Sequence, residues 1–164
     1  MTNANRTGYF QSPLGVIEIQ VNDLALISVK FLGEEVFEEN KSPQNNEIIM
    51  LTIGQLGQYF DGKLKEFDLP VQLEGTEFQR RVWSELKRIP FGKTISYSQL
   101  ADKLGSRDLV RAVGSANGSN PLGIGVPCHR VVGRQGDLVG YAGGLWRKQW
   151  LLEHEDCQML LPFY

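Results

Sequence analysis

Apolar positions along this 164-residue chain recur with two different periods. Up to Phe31 the period is short. Residues 7–10 form a brief extended run, and Ser12-Pro13-Leu14-Gly15 is a turn with proline at i+1 and glycine at i+3. Residues 16–21 read Val-Ile-Glu-Ile-Gln-Val, Asn22-Asp23 turns the chain again, and residues 24–31 are rich in β-formers. Two hairpins in succession predict a small antiparallel sheet. Residues 34–44 are acidic and polar, the composition of a loop. From Glu47 to Phe60 the period lengthens, with Ile48, Ile49, Thr52, Leu56, Tyr59 and Phe60 at helical spacing, although Gly54 and Gly57 weaken that helix. Residues 61–75, punctuated by Pro70 and Gly75, read as an extended connection.

The character changes at Thr76. Thr76 with Gln79 fits a capping box, and Phe78, Val82, Leu86 and Ile89 repeat at helical spacing. Pro90 ends that helix and Phe91-Gly92-Lys93 turns the chain. Ser96 or Ser98 can cap a short helix through Gln99, Leu100, Ala101 and Leu104. Gly105-Ser106 makes a tight turn, and a second helix runs from about Asp108 to near Asn117. Short helix, glycine-containing turn and second helix form the helix-turn-helix arrangement. The outer face of the second helix is smooth: Ala112, Gly114, Ser115 and Gly118 are small, and Arg111 is its long cation. A major-groove reader needs Arg, Asn or Gln to reach base edges. A smooth helix suits the minor groove, where sequence information is poor. The expectation is weakly sequence-specific DNA binding.

Charge sharpens that expectation. The net charge of −2 taken alone argues against nucleic acid. Residues 1–75, however, hold 5 Lys and Arg against 11 Asp and Glu, a net −6, while residues 76–164 hold 12 against 8, a net +4. An acidic domain of residues 1–75 joined to a basic domain of residues 76–164 is the pattern of a polyanion binder with a companion. No apolar run approaches a membrane span, and the N-terminus lacks a signal pattern. Two cysteines, Cys128 and Cys157, make no disulfide framework, which points to the reducing cytoplasm. With no Cys-x-x-Cys pair and His129 and His154 as the only histidines, neither metal nor other cofactor is expected.

The candidate chemistry lies in Pro127-Cys128-His129-Arg130-Val131, which follows the apolar, glycine-broken residues 120–126. A thiol beside a base is placed for nucleophilic chemistry, whereas packing is the commoner use of a lone cysteine. Adjacent side chains in a strand face opposite ways, so Cys128 and His129 can cooperate only if Pro127 starts a turn or short helix. Residues 139–144 form a second glycine-rich loop, suited equally to wrapping a planar ligand or to turning the chain. Residues 145–155 read as the last helix, with Trp146 and Trp150, and Leu145 and Leu152, at helical spacing.

Taken together, Pro127-Cys128-His129-Arg130-Val131, Asn120-Pro121 ahead of it, Tyr141 with Gly143-Gly144, and Leu151-Leu152-Glu153-His154-Glu155 resemble the methylated-DNA–protein-cysteine methyltransferases. These are suicide repair proteins for O6-alkylguanine. The resemblance is close over residues 76–155 and poor before them. It implies an α+β fold, with an N-terminal antiparallel sheet plus helix similar to ribonuclease H and a C-terminal helical winged helix-turn-helix domain. It implies irreversible, single-turnover transfer of an alkyl group from O6-alkylguanine, and from O4-alkylthymine, in double-stranded DNA to Cys128. The guanine would be flipped out through the minor groove, with no obligatory protein partner.

Residue by residue, the resemblance makes Cys128 the alkyl acceptor and His129 the base that takes the thiol proton through a water. Glu155 would orient His129, and Asn120 would brace the active-site turn. Tyr97 would help rotate the nucleotide and hydrogen-bond the guanine, and Arg111 would fill the vacated stack. Ala112, Gly114 and Ser115 lie along the helix that would meet DNA. Tyr141, Ala142, Gly143 and Val131 would form the guanine pocket. Ala142 stands where some members carry Ser, and the N-terminal zinc ligands of animal relatives are missing. A cysteine hydrolase also wants Cys, His and a carboxylate but leaves the basic half unexplained. A non-enzymatic binder of alkylated bases leaves Cys128 unexplained.

Overall fold

The computed structural model describes residues 5–33 and 46–156. The chain divides into two compact units: Met1–Glu74 with Pro121–Gly125, and Gly75–Asn120 with Val126–Tyr164. Residues 34–44 and Cys157 lie outside the described residues.

In the first unit, β1 (Arg6–Ser12), β2 (Gly15–Val21) and β3 (Leu26–Phe31) form an antiparallel sheet in that order. The first hairpin closes at Ser12, whose hydroxyl oxygen accepts from the Leu14 N–H at 3.0 Å. The second turn is longer than the sequence predicts. Asn22 Oδ1 accepts from the N–H groups of Leu24 and Ala25 at 2.9 and 2.8 Å, so this Asx turn takes up both residues. β3 therefore starts at Leu26, not at residue 24, and Leu24 is 80 % exposed.

Helix α1 (Glu47–Phe60) has the predicted bounds, with Asn46 as N-cap accepting from Ile48 and Ile49. Its glycines are accommodated: Gly54 faces open space and Gly57 faces the Phe10 ring. Ile49, Leu56 and Tyr59 from α1 and Ile17, Ile19 and Val21 from β2 are buried together in the core of this unit. Gly8 admits the helix to β1, since a Cβ there would collide with Ile49.

The outer edge of β3 is covered. Val71 runs parallel beside Leu26, and Leu122 beside Val29. Val29 donates to Pro121 O at 2.8 Å and accepts from Gly123 N at 2.9 Å. Beyond this bridge the chain makes a γ-turn, Gly125 N to Gly123 O at 2.7 Å, over Ile124 with φ +69°. A β-branched residue in that region costs about 1–3 kcal/mol and persists only where the surroundings hold it.

The second unit contains α2 (Glu77–Lys87), β4 (Ile95–Ser96), α3 (Tyr97–Lys103), α4 (Val110–Gly118), β5 (Val131–Val132) and α5 (Leu145–His154). Both reciprocal bonds of the Thr76–Gln79 box form. Between Ser96 and Ser98, it is Ser96 that caps α3, in a second box with Gln99. Gly105, at φ +122°, turns the chain between α3 and α4. The second helix of the pair opens with a 3-10 turn, Arg107–Leu109, and becomes α-helical only at Val110, because Ser106 caps the tighter turn.

Val82, Trp83, Leu86, Leu100, Val113 and Leu151 are buried in the core of this unit. Trp83 Nε1 donates to Ala116 O at 2.9 Å and ties α2 to α4. Phe78, expected in the α2 stripe, is half-buried. Leu145 is 47 % exposed while Leu152 is wholly buried, so those two do not mark one buried stripe; the inward face of α5 is Lys148, Leu151 and Leu152. β4 and β5 pair in parallel, which sets Tyr97, the residue after β4, beside the stretch that follows Cys128. The architecture is the expected α+β one, with the helix-turn-helix in the second unit.

Candidate active site

The segment around Cys128 is built as a pair of tight turns. Pro127 sits at φ −78°, ψ 64°, an inverse γ-turn closed by Cys128 N to Val126 O at 2.8 Å. Arg130 N then donates to Pro127 O at 3.0 Å, giving a 3-10 turn over Cys128–Arg130. This is the turn that cooperation between Cys128 and His129 requires. Asn120 Nδ2 donates to Val126 O at 2.8 Å and holds the approach to it. Cys128, His129 and Arg130 are all buried.

Glu155, just past α5, gathers the two residues that follow the thiol. His129 Nε2 lies 2.8 Å from Glu155 Oε2. Arg130 donates from Nε to Oε1 at 2.6 Å and from a terminal nitrogen to Oε2 at 3.2 Å. Its other terminal nitrogen donates to Ile89 O at 2.6 Å. Burial alone would raise the Glu155 pKa, but the hydrogen bonds and charges of His129 and Arg130 outweigh it and hold the carboxyl at about 2. Glu155 is therefore ionised at neutral pH. An ionised carboxylate accepts from Nε2–H, which leaves the lone pair on His129 Nδ1. Nδ1 is buried and has no partner among the described residues. Burial lowers the imidazole pKa against the pull of Glu155, so His129 rests neutral, in its basic form. Burial also raises the Cys128 thiol pKa, opposed by hydrogen bonding from Asn120 and the charge of Lys148. The resting pair is a thiol and, next to it in the chain, a neutral base.

Cys128 opens onto a cavity of about 100 Å³ whose walls include Tyr97, Gly114, Asn117, Tyr141 and Ala142. This is well below the roughly 300–1,000 Å³ of a drug-sized pocket. The cavity wall is pinned from behind by Lys148. This lysine is wholly buried, and its Nζ donates to Val139 O at 2.9 Å and Gly140 O at 3.0 Å. Burial lowers its pKa to about 8, with Cys128 and Asp137 acting in the opposite direction. Tyr97 donates to the same Val139 carbonyl at 3.0 Å.

A family model described as the DNA binding domain of 6-O-methylguanine DNA methyltransferase matches residues 77–157. A second, described as the ribonuclease-like domain of the same methyltransferase, matches residues 5–73. The chain belongs to the methylated-DNA–protein-cysteine methyltransferase family. The protein of that name from Mycolicibacterium paratuberculosis is 44 % identical over 88 % of this chain and 88 % of its own length. That from Methanosarcina acetivorans is 45 % identical over 89 % and 95 %. Among solved structures, Mycobacterium tuberculosis O6-methylguanine methyltransferase matches with a TM-score of 0.82 at 40 % identity, over 93 % of each chain. A crystal structure of Mycobacterium tuberculosis OGT in complex with DNA matches with a TM-score of 0.81 at 42 % identity, over 93 % of this chain and 92 % of that one. The family therefore extends through the first unit, which the motifs of residues 120–155 do not reach.

Of the residues that family membership points to, Tyr97, Gly114, Cys128, Tyr141 and Ala142 line one cavity, with His129, Glu155 and Asn120 around the thiol turn. Val131 is wholly buried in β5, and Gly143 O accepts from Arg147 at 2.9 Å; neither lines the cavity. Arg111, Ala112 and Ser115 are exposed on α4. The sequence reading gave no role to Arg130, Lys148 or Asn117. Arg130 is in the motif itself. The other two carry a legible signal: Asn117 lies on the buried stripe Val113-Ala116-Asn117, and Lys148 on Lys148-Leu151-Leu152. A polar residue at a core position of an amphipathic helix marks a partner across the fold. Among the described residues no cluster of three His, Cys, Asp or Glu could hold a metal, and no helix is long and apolar enough to cross a membrane.

Proposed function

We propose that this family member repairs O6-alkylguanine in duplex DNA by moving the alkyl group to Cys128. The observation that carries it is the buried thiol at the wall of a small cavity, backed by His129 and Glu155. His129 takes the thiol proton through a water, and the thiolate attacks the alkyl carbon. The S–C bond forms as the C–O6 bond breaks, its electron pair goes to the purine, and the guanine takes up a proton, so charge balances. On binding, the Tyr97 hydroxyl turns from Val139 O and donates to the base. The thioether has no hydrolytic route back to the thiol, so each molecule acts once. O4-alkylthymine presents the same alkyl–oxygen bond and is a second substrate.

The target atom lies inside the duplex, so the base is flipped out. The smooth face of α4, with Ala112, Gly114 and Ser115, lies in the minor groove, and Arg111 fills the vacated stack. No cofactor or obligatory protein partner is needed, and the reducing cytoplasm keeps the acceptor thiol free. Intact mass and peptide mapping after incubation with O6-methylguanine duplex test this. The expected result is one methyl per protein, on Cys128. Methyl on Cys157, or repeated turnover, overturns it.

A further inference from the structure

The Asn117 amide has one permitted orientation. Its Nδ2 lies 3.4 Å from the Cys128 carbonyl and 3.4 Å from the Tyr97 hydroxyl. A carbonyl only accepts. The Tyr97 hydroxyl already donates to Val139 O, so toward Asn117 it accepts as well. The nitrogen must face both, and the network thereby assigns the oxygen. That oxygen, Oδ1, has no partner among the described residues, although Asn117 is only 4 % exposed. A buried acceptor without a donor is destabilising and calls for an explanation. The same holds for His129 Nδ1, whose use as the base is already accounted for.

Asn117 lines the cavity beside Cys128 and Tyr97, so the missing donor is sought on the base that enters it. On an O6-alkylated deoxyguanosine the ring positions N1, N3 and N7 are acceptors, and the 2-amino group is the only N–H donor. O4-alkylthymidine has no N–H donor at all. We propose that Asn117 Oδ1 accepts a hydrogen bond from the guanine 2-amino group and so sets a preference for O6-alkylguanine over O4-alkylthymine. This inference rests on the function proposed above.

The test is single-turnover transfer from one duplex carrying, in turn, O6-methylguanine, O6-methylhypoxanthine, which lacks only the 2-amino group, and O4-methylthymine. Wild type is compared with Asn117→Leu and Asn117→Asp. Wild type should favour O6-methylguanine over the hypoxanthine by about tenfold or more, the effect of one hydrogen bond to a buried acceptor. Asn117→Leu, with no acceptor, should bring that ratio toward one and narrow the gap to O4-methylthymine. Asn117→Asp keeps an oxygen and should retain a ratio well above one while losing overall rate. Each ratio compares two substrates on one preparation, so any loss of folded protein cancels. An unchanged ratio in Asn117→Leu, or no preference in wild type, overturns the inference alone. Absence of methyl on wild-type Cys128 from all three substrates overturns the proposed function and the inference together.

Discussion

In the sheet unit, buried polar side chains serve the backbone next to them. Ser12, Asn22, Asn46 and Thr52 each bond main-chain groups two to four residues away; only Asn22 also reaches far, to Gln72. In the helical unit the buried polar groups reach across the sequence instead. Asn117 bonds residues 11 and 20 positions away, His129 one 26 away, and Arg130 residues 25 and 41 away. Among the described residues, the sheet unit places its buried polarity in turns, a cap and one bond within α1, all satisfied. Among them the helical unit holds a network that keeps two unpartnered atoms, His129 Nδ1 and Asn117 Oδ1. Local polarity marks architecture, and long-range polarity marks chemistry.

Glu155→Gln strikes the centre of the long-range network and should have the largest effect. It removes the charge opposite buried Arg130, and losing one partner of a buried pair costs about 3–5 kcal/mol. Urea unfolding checks the stability, and transfer should fall with it because His129 Nδ1 loses its enforced lone pair. The folded carboxyl is depressed from 4.5 to about 2, so its contribution is complete above the ordinary carboxylate value and is lost as pH falls from there toward 2. Wild type should lose roughly 3 kcal/mol across that window, and Glu155→Gln much less.

Lys148→Met is the next step down. It keeps the stem but removes the donor to Gly140 O and leaves Val139 O with Tyr97 alone. Transfer should slow about tenfold, the worth of one to two hydrogen bonds, in single-turnover rates. The folded lysine is depressed from 10.5 to about 8, so the charged form burdens the fold below 8 and the burden lifts as pH rises from 8 to 10.5. The stability of wild type relative to Lys148→Met should rise through that window, and a flat difference would show that the lysine is not held out of water.

Asn46→Ala should have the smallest effect. It removes the cap of α1 and should cost about 1 kcal/mol in thermal or urea unfolding. The transfer rate per folded molecule should not move. A slower rate there would break the division between the two units.

The same division explains what was legible in the sequence. The Thr76–Gln79 box, the bounds of α1 and the Ser12–Gly15 turn are settled within four residues, and each is found where the sequence puts it. Cys128, His129 and Glu155 were legible because they sit in motifs. Asn117 and Lys148 carry only the weaker signal of a polar residue on a buried stripe, which a periodicity argument passes over because it assigns polar residues to the surface by default. The start of β3 was misplaced because the Asn22 side chain, not the β-propensity of Leu24, sets the turn. The return of residues 121–125 to β3 had no local signature, since its partners lie more than 90 positions upstream.

That return governs the order in which the molecule can be made. Val29 leaves the ribosome long before Pro121 and Gly123, the residues it bonds. Closing so long a loop costs little more entropy than closing a shorter one, but non-local pairings form slowly. The first unit therefore waits for α2, α3 and α4 to be translated before its last edge is sealed. The Cys128–Arg130 turn begins three residues after Gly125, so the residues that seal the edge of the sheet emerge just before those of the turn that bears the thiol.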